Sequence, residues 1–89
     1  MQHSMAVYIA VAPLQWRWSN TIDDAIEKSI SQFNPGGFRV INLPVKLYLL
    51  NRELNEMSKR NWVLNEDATY LGTYRAFSKN GSWEWTKYI

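Results

Sequence analysis

The stretch PVKLYLLNRELNEMSKR, residues 44–60, decides the fold because it supports two readings. Leu47, Leu50, Leu54 and Met57 recur at helical intervals, and an apolar stripe of that period predicts a helix from about Pro44 to Arg60. Pro44 suits a first helical turn, and Lys59 and Arg60 suit a last one. The rival is a strand over residues 45–50, where Val45, Leu47 and Leu49 alternate with Lys46 and Tyr48. The helical period runs longer, so the helix is the expected form.

Upstream, residues 38–43 (FRVINL) read as a strand ending before Pro44. Before that strand lies a helix start. Thr21 can cap it, Asp24 follows three residues on as a variant capping box, and Asp23 and Asp24 sit where the helix dipole favours anions. Ile22, Ala25, Ile26, Ile30 and Phe33 fall on one stripe, and Asn34-Pro35-Gly36-Gly37 stops the helix. Residues 6–12 (AVYIAVA) form a continuous apolar run closed by Pro13, the pattern of a strand buried on both faces. Strand, helix and strand in succession predict a parallel pair with a right-handed crossover. Leu14, Trp16 and Trp18 lie between, on one side if that segment is extended; a loop is the alternative.

Downstream, residues 70–77 and 82–88 are strand-like runs rich in Tyr, Trp and Thr around Ser78-Lys79-Asn80-Gly81, a hairpin signal. A two-residue Asn80-Gly81 loop sets Trp83 opposite Ser78 and Trp85 opposite Ala76. A three-residue loop with a glycine bulge sets Trp83 opposite Phe77 and Trp85 opposite Arg75. The second register gathers Leu71, Phe77, Trp83, Trp85 and Ile89 on one face, and that cleaner segregation favours it. The expected fold class is α+β: a single small domain of order β-α-β-α-β-β, with a sheet of about four strands, two helices on one face and a C-terminal β-hairpin. Met1-Gln2-His3-Ser4 ahead of Met5 reads as an expression scar, leaving residues 5–89 as the domain.

An 89-residue chain has little surface to bury, and its five Trp, five Tyr and three Phe supply large rings for a small core. Without Cys there is neither a disulfide framework nor a thiolate zinc site, which fits a reducing, cytoplasmic setting. A net charge of +2, from ten basic and eight acidic residues, is no electrostatic footprint for nucleic acid. No apolar run is long enough to span a membrane as a helix.

Chemistry is thinly represented, and the reading leans away from an enzyme. The single His, His3, lies in the expected scar, so a Ser–His pair and a histidine metal site are both unsupported. Asp23 with Glu27 and Glu53 with Glu56 have the spacing of a solvated helix face, the ordinary role of such acids. Pro35-Gly36-Gly37 ends a helix, whereas a phosphate loop opens one. No cofactor and no metal are implied.

Two near-identical triplets remain, Trp16-Arg17-Trp18 and Trp83-Glu84-Trp85. The plain reading makes tryptophans core. Thirteen aromatics nevertheless exceed what so small a core holds, so Trp16, Trp18, Tyr74 and Tyr88 are expected at the surface. The candidate contact residues are Trp16, Arg17 and Trp18, with Arg75 and Tyr88 second. An unpaired sheet edge also favours a homodimer.

Residues 21–27 (TIDDAIE), Gln32-Phe33, Pro35 and Gly37-Phe38-Arg39-Val40 are similar to a stretch of the small RNA-polymerase inhibitor of T-odd podovirus-type bacteriophages. The likeness extends over about residues 21–43. It implies a small phage- or mobile-element-encoded protein that works by binding. The family's polymerase-contacting arginines fall on Asn42 and Pro44, so the resemblance does not carry polymerase over as the target. The function expected is a non-catalytic protein-interaction module, an inhibitor of a host protein on that resemblance. A small-ligand domain with an aromatic pocket, at a homodimer interface, is the alternative. Single-stranded nucleic-acid binding stands third.

Overall fold

The computed structural model describes residues 6–33, 42–52, 63–79 and 81–89. The elements are β1 (Tyr8–Val11), β2 (Trp16–Ser19), α1 (Ile22–Ser29), β3 (Asn42–Leu50), α2 (Leu64–Asp67), β4 (Ala68–Lys79) and β5 (Ser82–Lys87). They form an α+β fold around one five-stranded sheet of order β2-β1-β3-β4-β5, every neighbouring pair antiparallel.

The expected parallel crossover is overturned by β2. Ala12 N–H donates to the Gln15 carbonyl at 2.9 Å, which closes a two-residue turn at Pro13-Leu14 and sends the chain back along β1. Helix α1 therefore starts from the opposite end of the sheet, and β3 enters antiparallel to β1. Side chains of the β1–β2 hairpin hold the helix at both ends. Gln15 Nε2 donates to the Lys28 and Ser29 carbonyls at 3.0 and 2.8 Å in the last turn, where the Lys28 carbonyl also accepts from the Ser31 N–H and hydroxyl. Ser19 Oγ donates to Asp24 Oδ2 at 2.5 Å in the first turn.

Helix α1 begins as its residues dictate. Thr21 is extended, and its hydroxyl accepts the Asp24 N–H at 3.3 Å. Ala25, Ile26 and Ile30 turn inward and are fully buried against Ala10, Val45 and Leu47, so the main core lies between the sheet and this helix. The expected stop at residues 34–37 lies outside the described residues, as do residues 38–41 of the strand placed there.

The expected helix from Pro44 is corrected over its first part: residues 44–50 belong to β3, and the rival strand reading is the one realised. As the sheet's middle strand, β3 finds partners on both sides, and its alternation sends Val45 and Leu47 into the core while Lys46 is exposed. Pro44 fits because β1 pairs with β3 only from Lys46 onward, so its absent N–H breaks no bond on that side. Residues 53–60 of that expected helix lie outside the described residues. The second helix described, α2, is a single turn, and its Leu64 packs against Ile9, Tyr48 and Ala68. That cluster lies on the sheet face opposite α1, so the two helices do not share a face.

The register of the last hairpin is also corrected. Lys79 pairs with Ser82, Ser78 with Trp83 and Ala76 with Trp85, the two-residue alternative. Gly81 adopts φ +80°, a conformation it reaches at no steric cost. The favoured face had Phe77 beside the tryptophans. Phe77 instead lies opposite Glu84, while Trp83 and Trp85 pack on the α1 side of the sheet. Ala76 and Ser78 are small, which leaves room there for two indoles. The indole N–H of Trp85 donates to Asp23 of α1 at 2.8 Å.

Candidate binding face

A strand shows alternate side chains to opposite faces, so the registers define a helix face and an open face. Tyr8, Ala10, Leu47, Ala76, Trp83 and Trp85 belong to the helix face. Trp16 pairs with Val11 and Trp18 with Ile9, which puts both tryptophans on the open face. Lys46 and Tyr48 of β3 share it, paired with Val11 and Ile9. From β4 come Tyr70, Thr73 and Arg75. Parity along β4 switches at Leu71, where the register with β3 shifts. Gly72 follows with φ +134°, and Leu71 faces the main core.

Trp16 and Trp18 keep 48% and 41% of their surface exposed, the wet state expected of them. Beside Trp16 is an apolar hollow of about 330 Å³ lined by Ile9, Val11, Trp16 and Leu64. Arg75 and Tyr88 are also brought together: the guanidinium carbon lies 4.8 Å from the centre of the Tyr88 ring, a cation–π contact. Tyr88 stays largely exposed. The two groups do not meet. β2 and β4 are three strand positions apart, roughly 14 Å at the usual interstrand spacing. Arg17 is separated in another way. It pairs with Ala10 and so belongs to the helix face, and its Nη1 donates to the Trp16 carbonyl at 2.7 Å.

Tyr48 and Tyr70 bridge the gap, and neither was among the candidate residues. Their rings lie 5.5 Å apart and tilted at 56°. The Tyr70 hydroxyl is 2.5 Å from Thr73 Oγ1, and Tyr70 is about half exposed. The strand reading of residues 45–50 carried this signal, because its alternation sets Lys46 and Tyr48 on one face. Reading the segment as a helix concealed it.

Among the described residues, the charged strand positions on the open face include Lys46, Arg75 and Glu84, the last opposite Phe77. The Asp24 carboxyl, on the other side of the sheet, is held below its ordinary range. The hydrogen bond from Ser19 lowers its pKa first, and the Lys28 ammonium, 3.0 Å away, lowers it further. Asp67, 2% exposed, is a structural acid. It accepts the Val63 N–H at 2.8 Å and pairs with Arg52 Nε at 3.3 Å, fixing the α2 turn. Among the described residues no three His, Asp or Glu gather as metal ligands, and no helix is long and apolar enough to cross a membrane.

Neither a family model, nor a curated protein sequence, nor a solved structure matches the chain.

Proposed function

We propose that this protein is a non-catalytic interaction module that captures a protein partner on the open face of its sheet. The observation that carries this reading is the exposure of Trp16 and Trp18, 48% and 41%, beside an apolar hollow of about 330 Å³. Large rings held half-wet on a strand supply contact area at little cost in side-chain entropy, and such anchors dominate interface energetics. A bulky apolar side chain of the partner fills the hollow, and Tyr70, Arg75 and Tyr88 supply the polar rim. The small net charge of +2 favours protein over nucleic acid. The resemblance over residues 21–43 gives the binding an inhibitory sense, with a host protein as target.

Affinity capture from nuclease-treated bacterial lysate tests it, with wild-type protein beside a Trp16→Ala/Trp18→Ala variant. A stoichiometric protein held by wild type and lost by a variant of unchanged thermal midpoint supports the reading. Equal capture by both removes the site. The hollow also favours a second reading, a small apolar ligand. That reading predicts a shift in Trp fluorescence on adding such a compound, abolished by Leu64→Ala.

A further inference from the structure

The two W-x-W triplets occupy equivalent places in two hairpins. Each follows a two-residue turn, at Pro13-Leu14 and at Asn80-Gly81, and its tryptophans are the second and fourth residues after that turn. In antiparallel pairing, directly opposed residues alternate between bonded and non-bonded pairs. Ala12 and Gln15 close the first turn with a hydrogen bond, so Arg17 and Ser19 aim their backbone groups at β1, and Trp16 and Trp18 aim theirs away. Tyr88 N–H reaches the Thr73 carbonyl at 2.8 Å. By the same alternation Ser82, Glu84 and Thr86 bond to β4, and Trp83 and Trp85 aim outward. Strands β2 and β5 are the two edges of the described sheet. Outside β5 runs a broad depression of about 510 Å³ whose lining includes Trp83, Glu84, Trp85 and Thr86.

We infer that the two edges are complementary, and that β2 of one molecule pairs antiparallel with β5 of a second copy. Trp16 then lies opposite Trp85 of the second copy, Arg17 opposite Glu84 and Trp18 opposite Trp83. The outward backbone groups of one strand meet those of the other. Two cross-strand aromatic pairs flank one pair of opposite charges, and both kinds stabilise strand pairing. The arrangement needs the second copy turned over, because Trp16 and Trp18 lie on the open face and Trp83 and Trp85 on the helix face. The turn brings Arg17 and Glu84 onto a common side. The Arg17 guanidinium moves from the Trp16 carbonyl, which it covers in the single chain, to the carboxylate.

Charge selects this pairing over like-with-like association. Two β2 edges in full overlap set Arg17 against Arg17, and two β5 edges centred on Glu84 set Glu84 against Glu84; like charges directly opposed are destabilising. The contact is head-to-tail, so each copy keeps one edge free and assembly grows beyond a dimer unless it closes into a ring. The proposal shares Trp16 and Trp18 with the partner-capture reading but does not rest on it. Arg17→Glu leaves Trp16 and Trp18 in place, so it removes self-association and spares capture.

Sedimentation velocity over a range of concentrations tests it. Wild-type protein is expected to gain mass with concentration. Arg17→Glu and Glu84→Arg, both at exposed positions, should each weaken association about tenfold or more, an effect of about 1.4 kcal/mol. Mixing the two variants should restore it, because every junction in the mixture again pairs opposite charges. Should a reversal unfold the chain, Arg17→Gln and Glu84→Gln replace it, each expected to weaken association and blunt its salt dependence. A monomer at every concentration overturns the proposal. So does a dimer indifferent to Arg17, or a mixture of the two variants that stays dissociated.

Discussion

The strands β2 and β5 carry almost the same local sequence, Trp-Arg-Trp-Ser and Trp-Glu-Trp-Thr, after turns of equal length, yet their tryptophans meet opposite fates. In β5 the indoles lie across from Ser78 and Ala76 and pack under α1. In β2 they lie across from Val11 and Ile9, on the face α1 leaves open. Local sequence makes both segments strands. Which face a ring reaches is set one strand away, by the residue that closes the turn. A shift of one residue there inverts every side chain that follows.

The sharpest way to break the comparison is to truncate an indole on each side. Trp85→Ala removes a ring packed on the core and its hydrogen bond to Asp23. It is expected to cost about 2–4 kcal/mol in urea denaturation. Gly72→Ala should follow at about 2 kcal/mol or more. A Cβ at that position would stand 2.3 Å from the Ile89 carbonyl oxygen and 2.9 Å from Lys87 Cε, so the β5 side of the molecule must yield. The midpoint should fall while helix content, read by circular dichroism, persists. In β2 the same truncation as at Trp85 is mild: Trp18→Ala, at a ring already 41% exposed, should cost under about 1 kcal/mol. Equal losses at Trp18 and Trp85 would falsify the assignment of faces.

The smallest effect concerns pH and sharpens how β2 is tied to α1. The folded state holds the Asp24 pKa below the ordinary 3.8, through Ser19 first and Lys28 second. A depressed carboxylate stabilises the fold above its unfolded pKa, and that contribution is lost as pH falls through the folded value. Wild-type protein should therefore lose more of its thermal midpoint than Asp24→Asn when acidified from neutrality to below 3.8. Parallel curves for the two proteins would separate Asp24 from the hairpin's attachment.

Several elements were legible without coordinates. The Thr21 cap, the acidic first turn and the Ala25, Ile26, Ile30 stripe describe α1 as it is built. The apolar run before Pro13 is β1. Exposure of Trp16, Trp18 and Tyr88 followed from the surplus of rings over core volume, whereas Tyr74, expected with them, packs against the main core. Residues 44–50 were not legible, because Leu47 and Leu50 fit a helical stripe while Val45 and Leu47 fit strand alternation. Both patterns are present, and only neighbours on two sides decide between them. The Arg75–Tyr88 pair was named as two candidates, but its contact depends on β4 and the segment after β5 running side by side. Tyr70 stayed hidden because the parity of β4 switches at Leu71, a bulge that no alternation rule foresees.

By itself the sequence determined the α+β class, the start and buried stripe of α1, the place of the last hairpin's turn and the excess of aromatic rings. Those properties are written in intervals of a few residues: caps, turn residues and local periodicity. Tertiary structure alone decided that β1 and β3 run antiparallel, that residues 44–50 form the middle strand, and that one W-x-W triplet is packed while its twin is open. Each of those outcomes depends on which strand lies beside which. That choice is made by hydrogen bonds and packing between residues far apart in the chain, where local preference has no vote.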